Sequence, residues 1–466
     1  MSWARRLAHL GLGLFWLGCM TETPAPELSA RLSAPGWEVP PAGIPSVLVL
    51  ASVAGLTPEA HRPGGPMPTL SALAEAGVAA EHVDVVMPES VYPVHATWVS
   101  GRRPRDHGIL GDRLIGERGL RRSRPWHASH ARTRTLWEGL EGKVLALDWP
   151  STQGAPLAAV LPDVQPTRRD ETWLSAIADS TTPWLLALAT SAPPAVAKAG
   201  PERDRFLVEA ACTALASSAR PRFLLMRLRG PEQPLLEHGP HAADLAFAQV
   251  DEALTRLLAC LETGPGLLDS AVVVVGDRAL RPVHTAVRPN RALAHAGLAK
   301  EGEWQALVRS NGGSAFVYAK NPKSALQART VLTEEADATG AFRVVSAEEM
   351  IANAADPEAW FGLEASPGFV FLDGARGPLV APSSQRGAAG YFAPATNSPA
   401  FVAWGRGVRG GIVAPSLHQL DVAPTLAHLL DTELPDAEGR GLIGLLRVPG
   451  SVAAPPPEEE SMDARQ

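Results

Sequence analysis

Short, uninterrupted apolar runs recur along this chain, and stretches with helical periodicity separate them. The runs are SVLVLAS (46–52), KVLALDW (143–149), RFLLMRL (222–228), AVVVV (271–275) and AFVAWG (400–405). A run without polar interruption predicts a strand that is buried on both faces, as in a parallel sheet. Repeated strand–helix units predict an α/β fold, with a mostly parallel central sheet and helices on both of its faces.

Three of the intervening segments, 67–77, 243–262 and 420–431, have the periodicity of amphipathic helices. In the second of them, the predicted core-facing stripe consists of Leu245, Val250, Leu254, Leu257 and Leu258. The segments GSAFVYAK and FRVVSAEEM predict a small α/β insertion at about 310–375. The whole folded domain is expected to occupy residues 45–447.

Charge and cysteine content exclude some classes of function. The net charge is −7, whereas nucleic-acid-binding proteins usually carry a basic surface, so no nucleic-acid partner is expected. Two of the three cysteines, Cys212 and Cys260, lie in helical stretches. Two cysteines form neither a disulfide framework nor a metal motif, so we expect buried core residues. The sequence leaves open whether they pair.

The two ends of the chain differ in composition from the middle. Residues 1–19 have a basic start, a short apolar stretch and a small residue before Cys19, which is the layout of a signal peptide for export. Cys19 is a candidate lipidation site, although the residues before it fit a lipoprotein signal poorly. The alternative is simply an apolar N-terminus. Residues 20–44 resemble a linker, and 448–466 a disordered acidic tail.

Seven segments, in order, resemble the type I phosphodiesterase/nucleotide pyrophosphatase group of the alkaline phosphatase superfamily. They are MPTLSALAEAGV, MPESVYPVHATWVSGRRPRDHGI, LW…ALDWPS, EHGPHAADLAFAQVDEAL, VVVVGDRAL, GAAGYFAP and LDVAPTLAHLL. The resemblance covers about residues 46–445. It implies the alkaline-phosphatase-like three-layer sandwich. It also implies a hydroxyl nucleophile and two zinc-type ions held by Asp and His, a pair that can stabilise both the attacking and the leaving oxygen at phosphorus.

The family's catalytic positions carry different side chains in this sequence. By the resemblance, the nucleophilic threonine corresponds to Val91, and the asparagine that holds the phosphoryl oxygen corresponds to Val94. Asp277 is retained, and Glu232 replaces an aspartate. The other four metal-ligand positions are occupied by Ala54, Leu236, Arg278 and Ala389.

Two functions follow from this comparison. The first is an exported, catalytically silent domain that needs no metal cofactor. It would bind an unidentified ligand or protein in the former substrate cleft. Its location would be the periplasm, the outer membrane surface through a lipid anchor, or the outside of the cell after secretion. The second is an active metal-dependent phosphodiesterase or phosphatase whose site is rearranged around Asp277, Glu232, His238 and His241. The other interpretation, which is favoured, is that the two histidines are surface residues of a loop.

Arg278 has two interpretations. Its guanidinium can pair with Glu232 or Asp277, or it can point to solvent while Asp277 caps a loop. In either case we expect Ala54, Val91, Glu232, Asp277 and Ala389 to lie together at the carboxyl end of the central sheet.

The remaining candidates have structural interpretations. Ser90, which could be imagined as a displaced nucleophile, is expected to cap a helix. His95 is expected to be structural, and Asp106-His107-Gly108 to form a turn. His284 and His418 have no assigned partner.

Overall fold

The structure, a computed structural model, describes residues 40–300, 302–392 and 398–448. The expected signal peptide with Cys19, most of the expected linker and almost all of the expected tail therefore lie outside the described residues. Within the described ranges, none of the helices has both the length and the apolar character that a membrane span requires.

The strands, numbered β1 to β23 in chain order, range from two to seven residues. They are Val47–Val53, Val78–Ala80, Val83–Asp84, Ile115–Gly116, Gly119–Leu120, Val144–Leu147, Ala159–Leu161, Phe223–Leu228, Ser270–Gly276, Arg281–Pro282, Thr285–Val287, Ala299–Lys300, Glu303–Trp304, Ala306–Ser310, Ser314–Ala319, Phe342–Val345, Phe361–Ala365, Phe369–Phe371, Val380–Pro382, Gly387–Ala388, Phe401–Gly405, Ile412–Ala414 and Leu417–His418.

The α-helices are numbered α1 to α12 in the same way. They are Pro68–Ala76, Val91–Ser100, Pro104–His107, Trp173–Ile177, Pro183–Ser191, Pro201–Leu215, Glu232–His238, Asp244–Thr263, Pro289–His295, Pro322–Thr339, Ala347–Ala352 and Gln419–Leu430. Single 3₁₀ turns occur at Pro58–His61, Ala128–His130, Leu136–Gly139, Pro194–Ala197, Leu267–Asp269 and Ile443–Leu445.

The central sheet has eight strands in the order β22-β2-β21-β9-β1-β8-β6-β7. The five strands from β9 to β7 are parallel to one another, and β21 pairs with β9 in the antiparallel sense. All five of the apolar runs predicted as strands form strands of this sheet. β1 and β9 are buried along their entire length, which is why their sequences do not alternate between apolar and polar residues.

Helices cover both faces of this sheet, and successive β1 side chains point into two separate cores. Val47 and Val49 belong to the core that also contains residues of α1, α6 and α8, whereas Leu48 and Leu50 belong to the core shared with α2 and α12. This alternation follows from the two-residue period of a strand. The predicted three-layer α/β sandwich is therefore confirmed.

A second sheet has four antiparallel strands in the order β14-β15-β17-β16. It extends over Ala306–Ala365, within and slightly ahead of the segment for which an insertion was expected. Helix α10 packs on it, and their side chains share a hydrophobic core with residues of β11, β18 and α9.

The helix predicted at 243–262 is α8, but its predicted core stripe is partly wrong. Leu245 is 75% exposed, whereas Val250, Leu254, Leu257 and Leu258 are buried. The helix begins only at Asp244, so its first turn lies at the edge of the core. Asp251 of the same helix has a structural role. Its carboxylate accepts hydrogen bonds from the backbone N–H groups of Thr69 and Leu70 at the start of α1.

The sequence left open whether the two cysteines pair, and the structure shows that they do. Cys212 in α6 and Cys260 in α8 form a disulfide bond, with their Cα atoms 5.3 Å apart. Sequence spacing could not reveal this bond, because the two helices pack side by side only in the folded chain. Cys260 is buried in the core, and Cys212 is partly buried beside it, so the bond fastens two helices of the same layer.

Candidate functional site

Three neighbouring parallel strands end in register at the carboxyl edge of the central sheet. Val53 of β1 pairs with Leu228 of β8 on one side and with Gly276 of β9 on the other. The residues that follow these strand ends therefore meet at one place, as expected for the ligand-binding edge of an α/β sheet. The backbone N–H of Gly55 donates a 2.8 Å hydrogen bond to Asp277 Oδ1, which joins the first and last of these loops.

A cavity of about 280 Å³ opens at this edge. Its lining includes five of the eight positions named by the resemblance, namely Val91, Glu232, Leu236, Arg278 and Ala389. Ala54 and Asp277 directly follow the ends of β1 and β9 at the same edge of the sheet, and Asp277 lies 3.9 Å from the cavity-lining Arg278. The expectation that these dispersed positions cluster at the carboxyl edge of the sheet is confirmed.

Helix α2 places Val91 at the cavity, and two contacts fix its position. His95, one turn further along, hydrogen-bonds to the Val91 carbonyl oxygen at 2.7 Å and to Ser52 Oγ of β1 at 2.8 Å. Asp112 Oδ1 accepts a 2.9 Å hydrogen bond from the Tyr92 N–H. Burial holds the pKa of His95 well below its usual range. The structural interpretation of His95 is thus confirmed.

Ser90 occupies the N-cap position of α2, but its side chain makes no capping hydrogen bond. Its Oγ is buried and has no hydrogen-bond partner among the described residues, and the residue lines the cavity. The capping interpretation is therefore right about the position and wrong about the bond, because the Asp112 carboxylate takes the N–H of Tyr92 instead.

An arginine–carboxylate cluster borders the cavity, and two of its members, Glu232 and Arg278, line it. We use this name for Arg227, Arg229 and Arg278 together with Asp163, Glu232 and Asp277. Glu232 is at its centre. The Arg278 Nη2 and Arg227 Nη2 atoms lie 3.0 Å and 3.2 Å from Glu232 Oε1. Arg229 Nη2 lies 2.7 Å from Glu232 Oε2. One carboxylate thus receives hydrogen bonds from three guanidinium groups.

Asp163 and Asp277 complete the cluster. Arg229 Nη1 lies 3.0 Å from Asp163 Oδ1, and Arg227 Nη1 lies 3.5 Å from Asp163 Oδ2. Asp277 is fully buried and is contacted more loosely, at 3.8 Å by Arg227 and at 3.9 Å by Arg278. The pairing of Arg278 with Glu232 and Asp277 is therefore confirmed, and the alternative with Arg278 in solvent is wrong.

Burial and close ion pairing shift the pKa values of the cluster in opposite directions. Burial raises the pKa of the Glu232 carboxyl, but the guanidinium groups of Arg229, Arg227 and Arg278 outweigh it and hold that pKa well below its usual range. Burial lowers the pKa of the Arg278 guanidinium, yet Asp277 and Glu232 raise it above its usual value. Each charge of this pair is thus stabilised in its ionised form by the other.

The pKa of Glu89 is shifted in the opposite direction from that of Glu232, although both residues line the same cavity. Burial raises the pKa of its carboxyl to about 7, against the lowering effect of hydrogen bonds from the backbone N–H groups of Ala279 and Gly390. These two bonds measure 2.9 Å and 3.1 Å. Glu89 therefore changes its protonation near neutral pH, unlike Glu232.

The histidines of the alternative active site do not join the cluster. His241 lines a different cavity, beside Gly55 and Leu235, and His238 is the last residue of α7. His284 hydrogen-bonds to the Thr285 hydroxyl. Within residues 40–300, 302–392 and 398–448, no group of three or more His, Cys, Asp or Glu residues is arranged to hold a metal ion. The rearranged site expected around Asp277, Glu232, His238 and His241 is not present in this region.

Two further candidate residues have structural positions. His107 is buried at the end of α3, before Gly108 with a φ of 82°, and its ring accepts a hydrogen bond from the Ile109 N–H. This is the turn that was expected. His418 caps α12 by accepting a hydrogen bond from the Leu420 N–H, and burial lowers its pKa.

The residues present do not fit the two zinc-type ions that the resemblance implied. Zinc sites in proteins are built from about three or four converging Cys, His, Asp or Glu ligands. Here Ala54, Leu236 and Ala389 offer no donor atom. The two carboxylates that remain, Glu232 and Asp277, are within 4 Å of fixed guanidinium cations. A dication placed between them would meet those positive charges at short range.

Sequence reasoning named Arg278, Glu232 and Asp277 but missed the other three residues of the cluster. Arg227 is 1% exposed and lies inside the predicted strand 222–228, where an arginine in an otherwise apolar run was the available signal. Arg229 follows the same strand. Asp163 lies in a loop with no distinctive neighbours. Glu89 lies in the matched segment MPESVYPVHATWVSGRRPRDHGI, but nothing in that segment indicates its contacts with the backbone N–H groups of Ala279 and Gly390.

A mostly parallel three-layer sandwich with a polar cleft at the carboxyl edge defines the class: this is an α/β fold of the alkaline phosphatase type. The sequence profile of the type I phosphodiesterase/nucleotide pyrophosphatase family matches residues 48–387. The chain belongs to that family. No curated protein is similar enough in sequence to count as a match.

Solved structures of two mammalian proteins have the same fold. A murine ectonucleotide pyrophosphatase/phosphodiesterase 5, solved alone and as an inactive variant in complex with AMP, is 17% identical. The alignment covers 86% of this chain and 100% of the murine chain, with a TM-score of 0.62. The human protein is 16% identical over 86% of this chain and 99% of its own, also with a TM-score of 0.62.

Proposed function

We propose that this chain is a catalytically silent member of the family that uses its former catalytic cleft to bind a ligand. The observation that carries the proposal is the arginine–carboxylate cluster, in which Arg278, Arg227 and Arg229 contact the Glu232 carboxylate. Metal-dependent phosphoryl transfer needs dications that can accept oxygen ligands from the substrate. A guanidinium supplies charge and hydrogen bonds but has no open coordination position.

The position of the nucleophile supports the same proposal. Val91 at the start of α2 is almost completely buried and has no hydroxyl group. The neighbouring residue Ser90 lines the cavity, but its Oγ is buried, and among the described residues that line this cavity none is a histidine that could act as its base. A binding function requires only the shape and polarity of the cleft.

Export is a further part of the proposal, and the disulfide bond between Cys212 and Cys260 supports it. Disulfide bonds form and persist mainly in oxidising compartments such as the bacterial periplasm or the outside of the cell. The composition of residues 1–19 favours the same location. Lipidation at Cys19 would then hold the domain at a membrane surface.

The direct test is hydrolysis of bis(p-nitrophenyl) phosphate by the purified chain, with and without added Zn²⁺. We expect no turnover above that of heat-denatured protein. The matched variant is Asp277→Asn, which keeps the shape of the retained carboxylate and removes its charge. Zinc-dependent turnover that disappears in this variant would contradict the proposal and would favour an active enzyme.

A further inference from the structure

Positive charge is concentrated in one segment of this otherwise acidic chain. Residues 102–134 contain ten arginines and three acidic residues, so the segment carries a net charge of +7, whereas the whole chain carries −7. The remaining residues together therefore carry −14. Charge that is separated in this way produces a field that attracts an anionic partner to one side of the molecule.

Exposed arginines of this segment and of the loop after β7 lie side by side. We use the name arginine surface for Arg118, Arg121, Arg122, Arg168 and Arg169, which are all exposed. Arg118 lies in the turn between β4 and β5, and the Arg121 side chain lies over Gly116 of the same hairpin. Arg122 donates a 3.3 Å hydrogen bond to the carbonyl oxygen of Thr167, directly before the two arginines of the β7 loop. The hairpin and this loop therefore form one basic surface.

The positive charge of the arginine surface is almost unpaired. Among the described residues, no ion pair is made by Arg118, Arg121, Arg122 or Arg169. Arg168 approaches Asp170 at 3.6 Å, but both side chains are about three-quarters exposed, at 74% and 78%, and such pairs are weak. The arginine–carboxylate cluster is the opposite case, because its guanidinium groups are neutralised by carboxylates. The arginine surface thus has charge available for a partner.

The arginine surface is spread over loops and does not enclose a ligand. None of its five arginines lines any of the four cavities of 260 to 490 Å³ found in the described residues. Within residues 110–134 and 165–170 there is also no large apolar side chain that is fully exposed, so the surface has no aromatic platform on which the bases of a single strand could stack. An extended array of negative charges fits separate exposed cations better than one small anion does.

A membrane that contains anionic lipids provides such an array and touches only one side of the protein. The −14 carried by the rest of the chain can then stay beyond the screening length of about 8–10 Å, whereas a long nucleic acid would continue past the five arginines toward those carboxylates. Clusters of four to eight basic residues are typical of proteins that adsorb to anionic lipid. A lipid at Cys19 would hold the chain at a membrane, and the arginine surface would determine which side of the domain faces it.

We propose that the arginine surface docks the domain on a membrane rich in anionic lipid headgroups. Asp112 and Arg124, which precede and follow the hairpin of this surface in the sequence, line the cavity at the carboxyl edge of the central sheet. Docking therefore brings the mouth of that cavity next to the headgroups. This inference rests on the export that is part of the proposed function, and it does not depend on catalytic silence.

Cosedimentation with lipid vesicles tests the docking. The protein is the full chain with Cys19→Ser, which cannot carry a lipid at that position. One set of vesicles contains phosphatidylglycerol and phosphatidylcholine in equal amounts, and the other contains phosphatidylcholine alone. We expect a higher partition coefficient on the anionic vesicles and a loss of this preference as the salt concentration rises. Equal partition to both kinds of vesicle at low salt would overturn the inference.

Two double variants connect the binding to the named arginines. Arg118→Gln/Arg121→Gln should lower the partition coefficient on anionic vesicles by about fivefold for each arginine removed. The matched control is Lys143→Gln/Arg220→Gln, which removes two exposed charges just ahead of β6 and β8, at the opposite, amino edge of the central sheet. An unchanged midpoint of urea denaturation shows that both proteins are folded. Equal losses in the two double variants would overturn the inference, because net charge alone would then explain the binding.

A single-stranded oligonucleotide and inorganic phosphate test the other sources of negative charge. We expect the chain to bind the oligonucleotide more weakly than anionic vesicles at the same concentration of phosphate groups, and inorganic phosphate to act like chloride at equal ionic strength. Tighter binding of the oligonucleotide, or specific displacement by phosphate, would overturn the inference. Hydrolysis of bis(p-nitrophenyl) phosphate by the same sample would contradict catalytic silence only, because the vesicle experiment contains no substrate of that kind.

Discussion

The Arg278 guanidinium donates a 3.0 Å hydrogen bond to the Glu232 carboxylate, across 46 residues of sequence. By the resemblance to the phosphodiesterase family, both residues stand at metal-ligand positions. On the proposed function, an ion pair between two side chains takes the place of a metal that would join them. Arg227 and Arg229 contact the same carboxylate, so three guanidinium groups share one buried carboxylate at this site.

Removal of the Arg278 side chain should destabilise the fold. Arg278→Ala leaves Glu232 buried with two guanidinium partners instead of three, so we expect the free energy of unfolding to fall by about 1–3 kcal/mol. The pKa of Glu232 should rise, because Arg278 is one of the groups that lower it. Urea denaturation measures the first effect.

Arg205→Ala is the matched control for that experiment. Arg205 is exposed and makes only a 4.0 Å contact with Glu202, so its removal should change stability by less than about 0.5 kcal/mol. Equal effects of the two substitutions would mean that the ion pair of Arg278 does not contribute more to stability than a surface contact.

The contribution of Glu89 and Asp204 to stability should fall as the pH rises from about 4.5 to about 7. Buried His95 and His107, whose pKa values burial lowers, act in the opposite direction over this range. Burial raises the pKa of Glu89 to about 7 and that of Asp204 also to about 7, from ordinary values of 4.5 and 3.8. In this window the unfolded chain has lost these protons while the folded protein keeps them. The stabilisation is complete below the unfolded pKa and is lost as the pH rises through the folded pKa, by an amount on the order of 3 kcal/mol for each group.

The variant Glu89→Gln should remove the contribution of Glu89 to the pH dependence of stability. Glutamine does not ionise, so the part of the slope that Glu89 contributes should disappear, together with a constant loss of stability because one of its two backbone hydrogen bonds is broken. Chemical denaturation at pH 5, 6, 7 and 8 measures the slope. The exposed Glu59→Gln should retain the full slope. An unchanged slope in Glu89→Gln would contradict the assignment to Glu89.

The disulfide bond between α6 and α8 should contribute measurably to stability. The double variant Cys212→Ala/Cys260→Ala is expected to lose about 2–4 kcal/mol, because the reduced unfolded chain gains conformational freedom. A reductant should lower the stability of the natural chain to the same level and leave the variant unchanged. A peptide map of the non-reduced protein without the cross-linked pair would contradict the bond.

Restoring a hydroxyl at position 91 should not restore activity. Val91→Thr places a hydroxyl at the start of α2, but Ala54, Leu236 and Ala389 still provide no metal ligands, so no hydrolysis of bis(p-nitrophenyl) phosphate is expected. The double variant Val91→Thr/Arg278→His should be silent for the same reason. Zinc-dependent turnover in either protein would show that the remaining carboxylates are a sufficient ligand set.

The fold could be predicted because its signals are local or ordered along the chain. The valine run of β9 has no polar interruption, as a strand buried on both faces requires. The order of the matched segments then determines which strand ends meet, so the clustering of Val91, Glu232 and Arg278 around one cavity could be inferred before any contact was known.

The contacts within the site could not be predicted in the same way. The choice between Arg278 in solvent and Arg278 paired with Glu232 depends on the direction of a side chain, which the sequence does not contain. The missing capping bond of Ser90 depends on Asp112, twenty residues away, which takes the Tyr92 N–H. The exposure of Leu245 likewise depends on where the core ends, because helical periodicity identifies a face of a helix but not its buried length.

The central claim is that guanidinium groups occupy the space that the family gives to metal ions. Equilibrium dialysis of the purified, chelator-treated chain against micromolar Zn²⁺ tests it most directly, with Glu232→Gln and Asp277→Asn as matched variants. The account predicts that the natural chain and both variants bind the same small amount of zinc, at surface sites only. Two equivalents bound by the natural chain and lost in either variant would contradict it.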